Sequence, residues 1–403
     1  MTRPLLNRRL DGLGNSIFGV MSARAVATGS INLGQGFPDV DGPRSVADAA
    51  AEAILAGRGN QYPPPTGIPE LRQGVARHQR RFYGLDCDPD TEVLITAGAT
   101  EAIAAALLAL LEPGDEVIAF EPYYDSYVAN IALAGGVRVP LTLGPPDFRP
   151  DLARLEAMIS PRTRLLLLNS PHNPTGMVLT RAETEAIARI AIDHDLLVVT
   201  DEAYEHLTFD REHVPFATVP GMRERTVSIG SAGKTFSFTG WKVGWATGTP
   251  ELVNAVRTTK QFLTYVSSGP FQYAVAGALD LPDAYFTAMA DDLKARRDLL
   301  ASGLRDIGFE VYRPDGTYFI TTDIAPLGEH DAMEFCLALP DRAGVVAIPS
   351  AVFYDDNPEA GRTMVRFAFC KRPEVLKEAL GRLSVLAGRG RTGHRGSGDS
   401  GQP

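Results

Sequence analysis

Cysteine is scarce in this chain: the three that occur among 403 residues, Cys87, Cys336 and Cys370, stand far apart with no CxxC pair. An odd number of widely spaced thiols excludes a disulfide scaffold and reads as small buried apolar side chains in a reducing compartment. Histidine is sparing too. The seven, at positions 78, 172, 194, 206, 213, 330 and 394, include no HExxH and no pair flanked by cysteines, so no zinc or iron centre is expected. Basic charge is in deficit, with 39 Lys and Arg against 49 Asp and Glu and a net charge of -10. Proteins that hold nucleic acid normally show a basic face, so no nucleic-acid partner is expected; a small anion needs only local positive charge. Long apolar runs are missing. The longest, AIAAALLALL at 102–111, falls well short of the ~20 residues of a membrane-spanning helix. The N-terminal MTRPLLNRRLDGLGNSIFGVMSARAV has arginines but lacks the continuous apolar region of a secretory signal. A soluble, cytoplasmic protein without a membrane partner is the expectation.

What is present is ordinary for a folded enzyme. The chain is 44% hydrophobic and 22% charged, which excludes whole-chain disorder, and its length gives a core that needs no metal staple. Short apolar, partly β-branched runs at 93–96, 117–120, 164–168, 196–200 and 226–229 alternate with helix-like stretches near 100–111, 124–134, 180–194 and 250–263. Strands apolar on both faces and separated by helices indicate an α/β fold, with a mainly parallel sheet covered on both sides. After about residue 285 a long charged helix leads into strand candidates at 309–312 and 317–321. A helix near 331–339, a strand near 363–369 and a last helix near 373–387 follow. This reads as an N-terminal arm at 1–45 that is part of the small domain, a large domain at 46–284 and a small C-terminal α/β domain at 285–387. The tail at 388–403, GRGRTGHRGSGDSGQP, has nothing to bury and is expected to be disordered. Its G-x-G-x-x-G pattern at Gly388, Gly390 and Gly393 has no strand before it and no helix after it, so it is no dinucleotide fingerprint.

The stretch richest in chemistry is SIGSAGKTFSFTGWKVGW at 228–245. Its GKT resembles the end of a P-loop, but Ser228 stands where the first glycine belongs, and FSFTGW is a poor helix start beneath a phosphate. The alternative is a Schiff-base lysine. Lys234 follows a strand, with Ser231 and Lys242 placed to face one phosphate of a carbonyl cofactor. LVVTDEAY at 197–204 puts Asp201 at the end of an apolar strand, where open α/β sheets bind ligands. A carboxylate there can keep a pyridine nitrogen protonated, and Tyr204 can reach the ring's phenolic oxygen. SPHNPTG at 170–176 offers the Asn173 amide to the same oxygen, with His172 beside it. AGATEA at 97–102 joins a strand to a helix whose N-terminus favours an anion, and EPYYD at 121–125 places an aromatic to stack on a flat ring. Singly, these are a solvated lysine, a capped strand end, a tight turn and core aromatics. Together, and in this order, they describe one site.

In combination the motifs NLGQGFPD (32–39), NQYPPPTG (60–67), AGATEA, EPYYDSY (121–127), SPHNPTG, TDEAYE (200–205), SAGKTFSFTGWKVGW (231–245) and VRFAFCKR (365–372) resemble the fold-type-I, pyridoxal-phosphate-dependent class I/II aminotransferases. The likeness covers about residues 5–387. It is greatest to the kynurenine/glutamine/methionine branch and to N-succinyldiaminopimelate aminotransferases. The resemblance implies a fold-type-I α/β architecture with pyridoxal 5'-phosphate as cofactor. It implies that Lys234 is the Schiff-base lysine and proton shuttle, that Asp201 pairs with the pyridine nitrogen, and that Asn173 and Tyr204 bond the ring oxygen. Tyr124 would stack on the ring, with Gly98, Ala99, Thr100, Ser231 and Lys242 around the phosphate. Arg366 would clamp the substrate α-carboxylate, with Gly36 and Phe18 beside it. Tyr62 would reach the neighbouring subunit's cofactor, implying a homodimer with shared sites. Lys242 stands where aspartate aminotransferases have arginine, and Thr100 where some members have an aromatic.

The activity implied is ping-pong transfer of an amino group from an L-amino acid to a 2-oxo acid. An aromatic pocket built from Phe18, Phe37, Tyr62, Tyr124 and His172 favours aromatic, methionine, glutamine or kynurenine donors, or N-succinyl-LL-2,6-diaminopimelate with 2-oxoglutarate as acceptor. Arg24, Arg44 and Arg72 are candidates for a distal anion site. A cysteine-conjugate β-lyase is the nearest rival reading. A transcription regulator on this fold would need a DNA-binding domain, for which the residues before Ile31 are too few.

Overall fold

The computed structural model describes residues 5–10 and 16–387; the expected disorder of the tail and its glycine pattern lie outside the described residues. A helix, Ile17–Thr28, leads into the short strand β1 (Ile31–Asn32). A seven-stranded sheet follows, built from β2 (Val93–Thr96), β3 (Glu116–Glu121), β4 (Val137–Thr142), β5 (Thr163–Asn169), β6 (Leu197–Asp201), β7 (Thr226–Ser231) and β8 (Gly244–Thr247). Its order is β2-β8-β7-β6-β5-β3-β4. All neighbours run parallel except at β8, which is antiparallel to both β2 and β7. This is the mainly parallel α/β sheet expected.

Alternation along the strands explains why the sheet is covered twice. Val117, Ala119, Leu165, Leu167 and Val199 point to one face and pack with Ala102, Ile103 and Ala106 of helix Gly98–Leu110. Ile118, Phe120, Leu166, Leu168 and Val198 point to the other and meet Ile187, Ala188 and Ala191 of helix Arg181–Asp193. Truncating any of the buried leucines to alanine costs about 2–5 kcal/mol. Two strands of this sheet were not among the sequence expectations. β4 contains Pro140, tolerated because β4 is an edge strand, where a missing N–H leaves no ladder bond broken. β8 is only four residues long and lies within the lysine motif.

The second sheet, antiparallel, uses β9 (Glu310–Tyr312), β10 (Phe319–Asp323), β12 (Ile348–Pro349) and β13 (Met364–Ala368) in the order β12-β13-β10-β9. Between them β11 (Val345–Val346) pairs in parallel with β1, tying the N-terminal segment to this part of the chain. The charged helix read at 291–298 runs over Asp283–Ile307. Among the described residues no helix is long and apolar enough to cross a membrane.

Candidate active site

The carboxyl ends of β5, β6 and β7 lie at one edge of the large sheet, as open α/β sheets place their ligand sites. Because β8 runs the other way, its beginning lies at the same edge, and so Lys242, two residues before it, arrives beside Gly98 at the end of β2. A cavity of about 300 Å³ opens there. One end is formed by Gly98, Ala99 and Thr100 at the N-terminus of helix Gly98–Leu110, together with Ser231 and Lys242. Gly98 has φ +75°, a conformation that favours a residue without a side chain, and a Cβ there would crowd Lys242 Nζ at 3.2 Å. Unpaired backbone N–H groups, a serine and a lysine around a glycine make an anion cradle.

Asp201 forms the floor. Its Oδ2 accepts from Tyr127 Oη at 2.6 Å and its Oδ1 from the Ala203 N–H at 3.1 Å. Burial pushes its carboxyl above the ordinary range, while these two bonds and the Lys234 charge pull it back. The backbone carbonyl of Asp201 accepts from Asn169 Nδ2 at 2.7 Å, and Asn169 Oδ1 accepts from the Asn173 N–H at 2.7 Å. Asn169 thus joins the ends of β5 and β6 and sets the loop that carries Asn173. Tyr204 is buried on the cavity wall with its hydroxyl pushed up by burial. Tyr124 precedes helix Asp125–Ala134 and faces the cavity from the side of Thr100.

Lys234 enters through a four-residue helix, Ala232–Thr235, far too short for the P-loop alternative. Its Nζ donates to Tyr318 Oη at 2.9 Å and lies 3.5 Å from the Gly36 carbonyl. Burial pushes the ammonium down to about 8, against the opposing pull of Cys370 and Asp201. Brought this close to neutral pH, part of the amine is free to act as nucleophile and base. Arg366 is 1% exposed; Nη1 donates to Asn173 Oδ1 and Nη2 to the Gly34 carbonyl, each at 3.0 Å. Its guanidinium carbon lies 4.0 Å from the Phe319 ring centre and 5.1 Å from that of Phe18. Burial pushes this guanidinium down to about 10, and its Nε has no partner. A buried fork that lines the cavity and keeps a second N–H on each Nη suits a carboxylate.

Gly36 completes the wall: a Cβ would stand 2.5 Å from Phe319 Cζ. The structure therefore brings together Phe18, Gly36, Gly98, Ala99, Thr100, Tyr124, Asn173, Asp201, Tyr204, Ser231, Lys234, Lys242 and Arg366 around one cavity. Tyr62 is not brought to it. It is 81% exposed, edge-on to Tyr265 in another shallow depression. Phe37 lies outside as well, against Lys371, and His172 is buried with Thr175. Of the arginines suggested for a distal anion site, Arg24 pairs with Asp341, Arg44 with Asp48 and Arg72 with Asp90, and none lines this subunit's cavity. Three residues that sequence reading passed over prove central. Asn169 was signalled by a lone amide ending the run LLLL, and Tyr127 by its spacing of three from Tyr124 on a helix. Tyr318, which comes from the second sheet's segment, had no local signal.

Behind the site, His78 Nε2 and His206 Nε2 share a hydrogen bond of 2.7 Å beside Glu205. Burial holds His78 neutral, at about 3, and pushes Glu205 up to about 8. No sequence spacing linked His78 to the other two.

The cavity's donor set suits pyridoxal phosphate: an anion cradle that a Cβ would fill, a carboxylate opposite it and an amine between them. The family model for aminotransferase class I and II matches residues 28–383. A probable N-succinyldiaminopimelate aminotransferase of Mycobacterium tuberculosis is 52% identical, over 94% of this chain and 98% of its own length. The solved N-succinyldiaminopimelate aminotransferase from Mycobacterium tuberculosis superposes with a TM-score of 0.93, covering 95% of this chain and 100% of that one. Methionine aminotransferase of Escherichia coli is 40% identical over 94% of this chain and 97% of its own. Family, fold and site agree, and the chain belongs to the class I and II aminotransferases, which are pyridoxal-phosphate-dependent.

Proposed function

We propose that this aminotransferase takes N-succinyl-LL-2,6-diaminopimelate as donor and 2-oxoglutarate as acceptor. The observation that carries this choice is the 52% identity, running almost end to end, with the mycobacterial enzyme of that name, against 40% with the methionine enzyme. When bound, pyridoxal phosphate supplies an aldehyde for the amino group and an electron-poor ring for the charge left at Cα. Asp201 would keep the ring nitrogen protonated, Asn173 and Tyr204 would hold the ring oxygen, and Tyr124 would lie against the ring. Gly98, Ala99, Thr100, Ser231 and Lys242 hold the phosphate. Arg366 takes the substrate's α-carboxylate between the walls made by Phe18 and Gly36. Lys234 would hold the cofactor through its amine and, when free, would be placed to move the proton at the substrate Cα. These assignments follow from the shared cavity and from the resemblance of the motifs.

A methionine or aromatic donor is the second reading. Phe18, Ile103, Tyr124 and Phe319 make an apolar wall, and Arg366 is the one arginine among the residues lining the cavity. Mixing the enzyme with single donors and no acceptor decides between them. Release of the matching 2-oxo acid should be at least tenfold faster from the succinylated donor; faster release from methionine or kynurenine overturns the first reading. Pyruvate and ammonia from a cysteine conjugate would instead reveal β-elimination.

We also infer a homodimer in which Tyr62 serves the neighbouring subunit. Support comes from the exposure of Tyr62 away from its own cavity and from Leu55 and Phe262, 88% and 82% exposed. Light scattering on the purified protein tests it, and a monomer would refute it. The three free cysteines support a cytoplasmic setting, and we keep the division into 1–45, 46–284 and 285–387 as the domain scheme.

A further inference from the structure

Tyr318 is 1% exposed, and its hydroxyl lies between two groups of the site. Oη donates to the Gly36 carbonyl and accepts from Lys234 Nζ at 2.9 Å. The ring is fixed edge-on against Tyr204, with centroids 5.4 Å apart, and the preceding residue is anchored by the Thr317 N–H bond to the Leu207 carbonyl at 2.7 Å. A tyrosine hydroxyl has one proton to give, and the carbonyl, which has none, takes it. Oη can therefore only accept from the lysine. A neutral amine that donates keeps its lone pair; one that accepted from a tyrosine would have it occupied. The direction of this short chain thus leaves the lone pair of Lys234 aimed away from Tyr318.

We propose that Tyr318 is a positioning residue for amino transfer: polarised by the Gly36 carbonyl, its hydroxyl holds the released Lys234 amine by accepting its hydrogen bond, with the nitrogen lone pair free for the Cα proton. This rests on the assignment of Lys234 as the transfer base. Packing alone does not call for the oxygen, since phenylalanine would fill the same space. The other charged or titratable groups around the amine are Asp201, Tyr204, Lys242, Arg366 and Cys370; the side-chain oxygen that accepts from Nζ at hydrogen-bond distance is that of Tyr318.

Tyr318→Phe tests it. In the cofactor-loaded enzyme kcat should fall about 10- to 100-fold, part of the ~10²–10⁴ that a positioned base contributes, with KM changing less than twofold. The deuterium isotope effect from a Cα-deuterated donor should rise, because proton transfer becomes slower. In the cofactor-free protein, the pH at which Lys234 is half-labelled by acetic anhydride should drop by about one unit, because the ammonium loses an acceptor. If kcat and the isotope effect stay within twofold of wild type, or if the labelling midpoint does not move, the proposal fails. Should the Phe variant not fold, 3-fluorotyrosine at position 318, a weaker acceptor of equal shape, should produce smaller changes in the same directions, and no change refutes. Lys234→Ala is the separate control: turnover surviving there removes the assignment of Lys234 itself, whatever Tyr318→Phe does.

Discussion

Tyr127→Phe should impair the enzyme through one hydrogen bond. Asp201 is 6% exposed and accepts from Tyr127 Oη at 2.6 Å and from one backbone N–H. Burial favours its protonated form; the tyrosine bond is the largest influence opposing that. A hydrogen bond to a charged group contributes about 1.5–3 kcal/mol, and about 1.4 kcal/mol is tenfold in a protonation equilibrium. Removing the hydroxyl therefore shifts Asp201 toward its neutral form by roughly 10- to 100-fold. A neutral carboxyl no longer holds a ring nitrogen protonated, so kcat should fall by a similar factor. The acid limb of the kcat–pH profile should move to higher pH, because Asp201 is now protonated sooner as pH falls. Packing is retained: the Tyr127 ring lies 5.8 Å from that of Tyr124 and 6.5 Å from that of Tyr123, contacts that phenylalanine keeps. Steady-state kinetics of Tyr127→Phe, Asp201→Asn and the double variant form a cycle. The loss from Tyr127→Phe should vanish when Asp201→Asn is already present. A loss under twofold, or an equal loss in both backgrounds, would show that the hydroxyl does not act through Asp201.

Lys234→Ala should lose about 10²–10⁴-fold or more in turnover while binding the cofactor noncovalently, as equilibrium dialysis would show; near-normal turnover contradicts the site. Arg366→Lys keeps a charge but loses the planar fork, so KM for the amino donor should rise about tenfold or more; an unchanged KM counts against the carboxylate assignment. Gly36→Ala puts a Cβ 2.5 Å from Phe319 Cζ, and overpacking of this kind costs about 1–3 kcal/mol, readable as a lower melting temperature. Glu205, raised by burial from 4.5 to about 8, binds more protons folded than unfolded between those values. Stability should therefore fall as pH rises through that window, by up to ~1.4 kcal/mol per pH unit. Glu205→Gln should flatten that slope in urea titrations at pH 5.5 and 8, and an unaltered slope would show that Glu205 is not the cause.

Much of the site was legible because its residues cluster in short motifs at strand ends. Asp201 closes the run LVVT, and Lys234 follows β7 with Ser231 before it and Lys242 after. Local apolar patterning placed the central strands to within a residue or two, since strands buried on both faces are predominantly apolar. β4 was missed because its proline argues against a strand unless the strand is known to be at the edge. The pairing of Arg24, Arg44 and Arg72 with Asp341, Asp48 and Asp90 was not legible, because charge in a sequence does not show its partner.

By itself, the order of residues pointed to the family, the cofactor and the set of chemical groups, because most of these groups, Asp201, Asn173, Ser231 and Lys234 among them, sit where a strand gives way to a loop or helix whose local sequence is distinctive. Only the tertiary structure decided the contacts between segments. Tyr318 reached Lys234 across 84 residues, Arg366 reached Asn173 across 193, and His78 reached His206 across 128. Such pairings depend on how distant segments pack against one another, and no local pattern carries the distance between side chains that far apart in the chain.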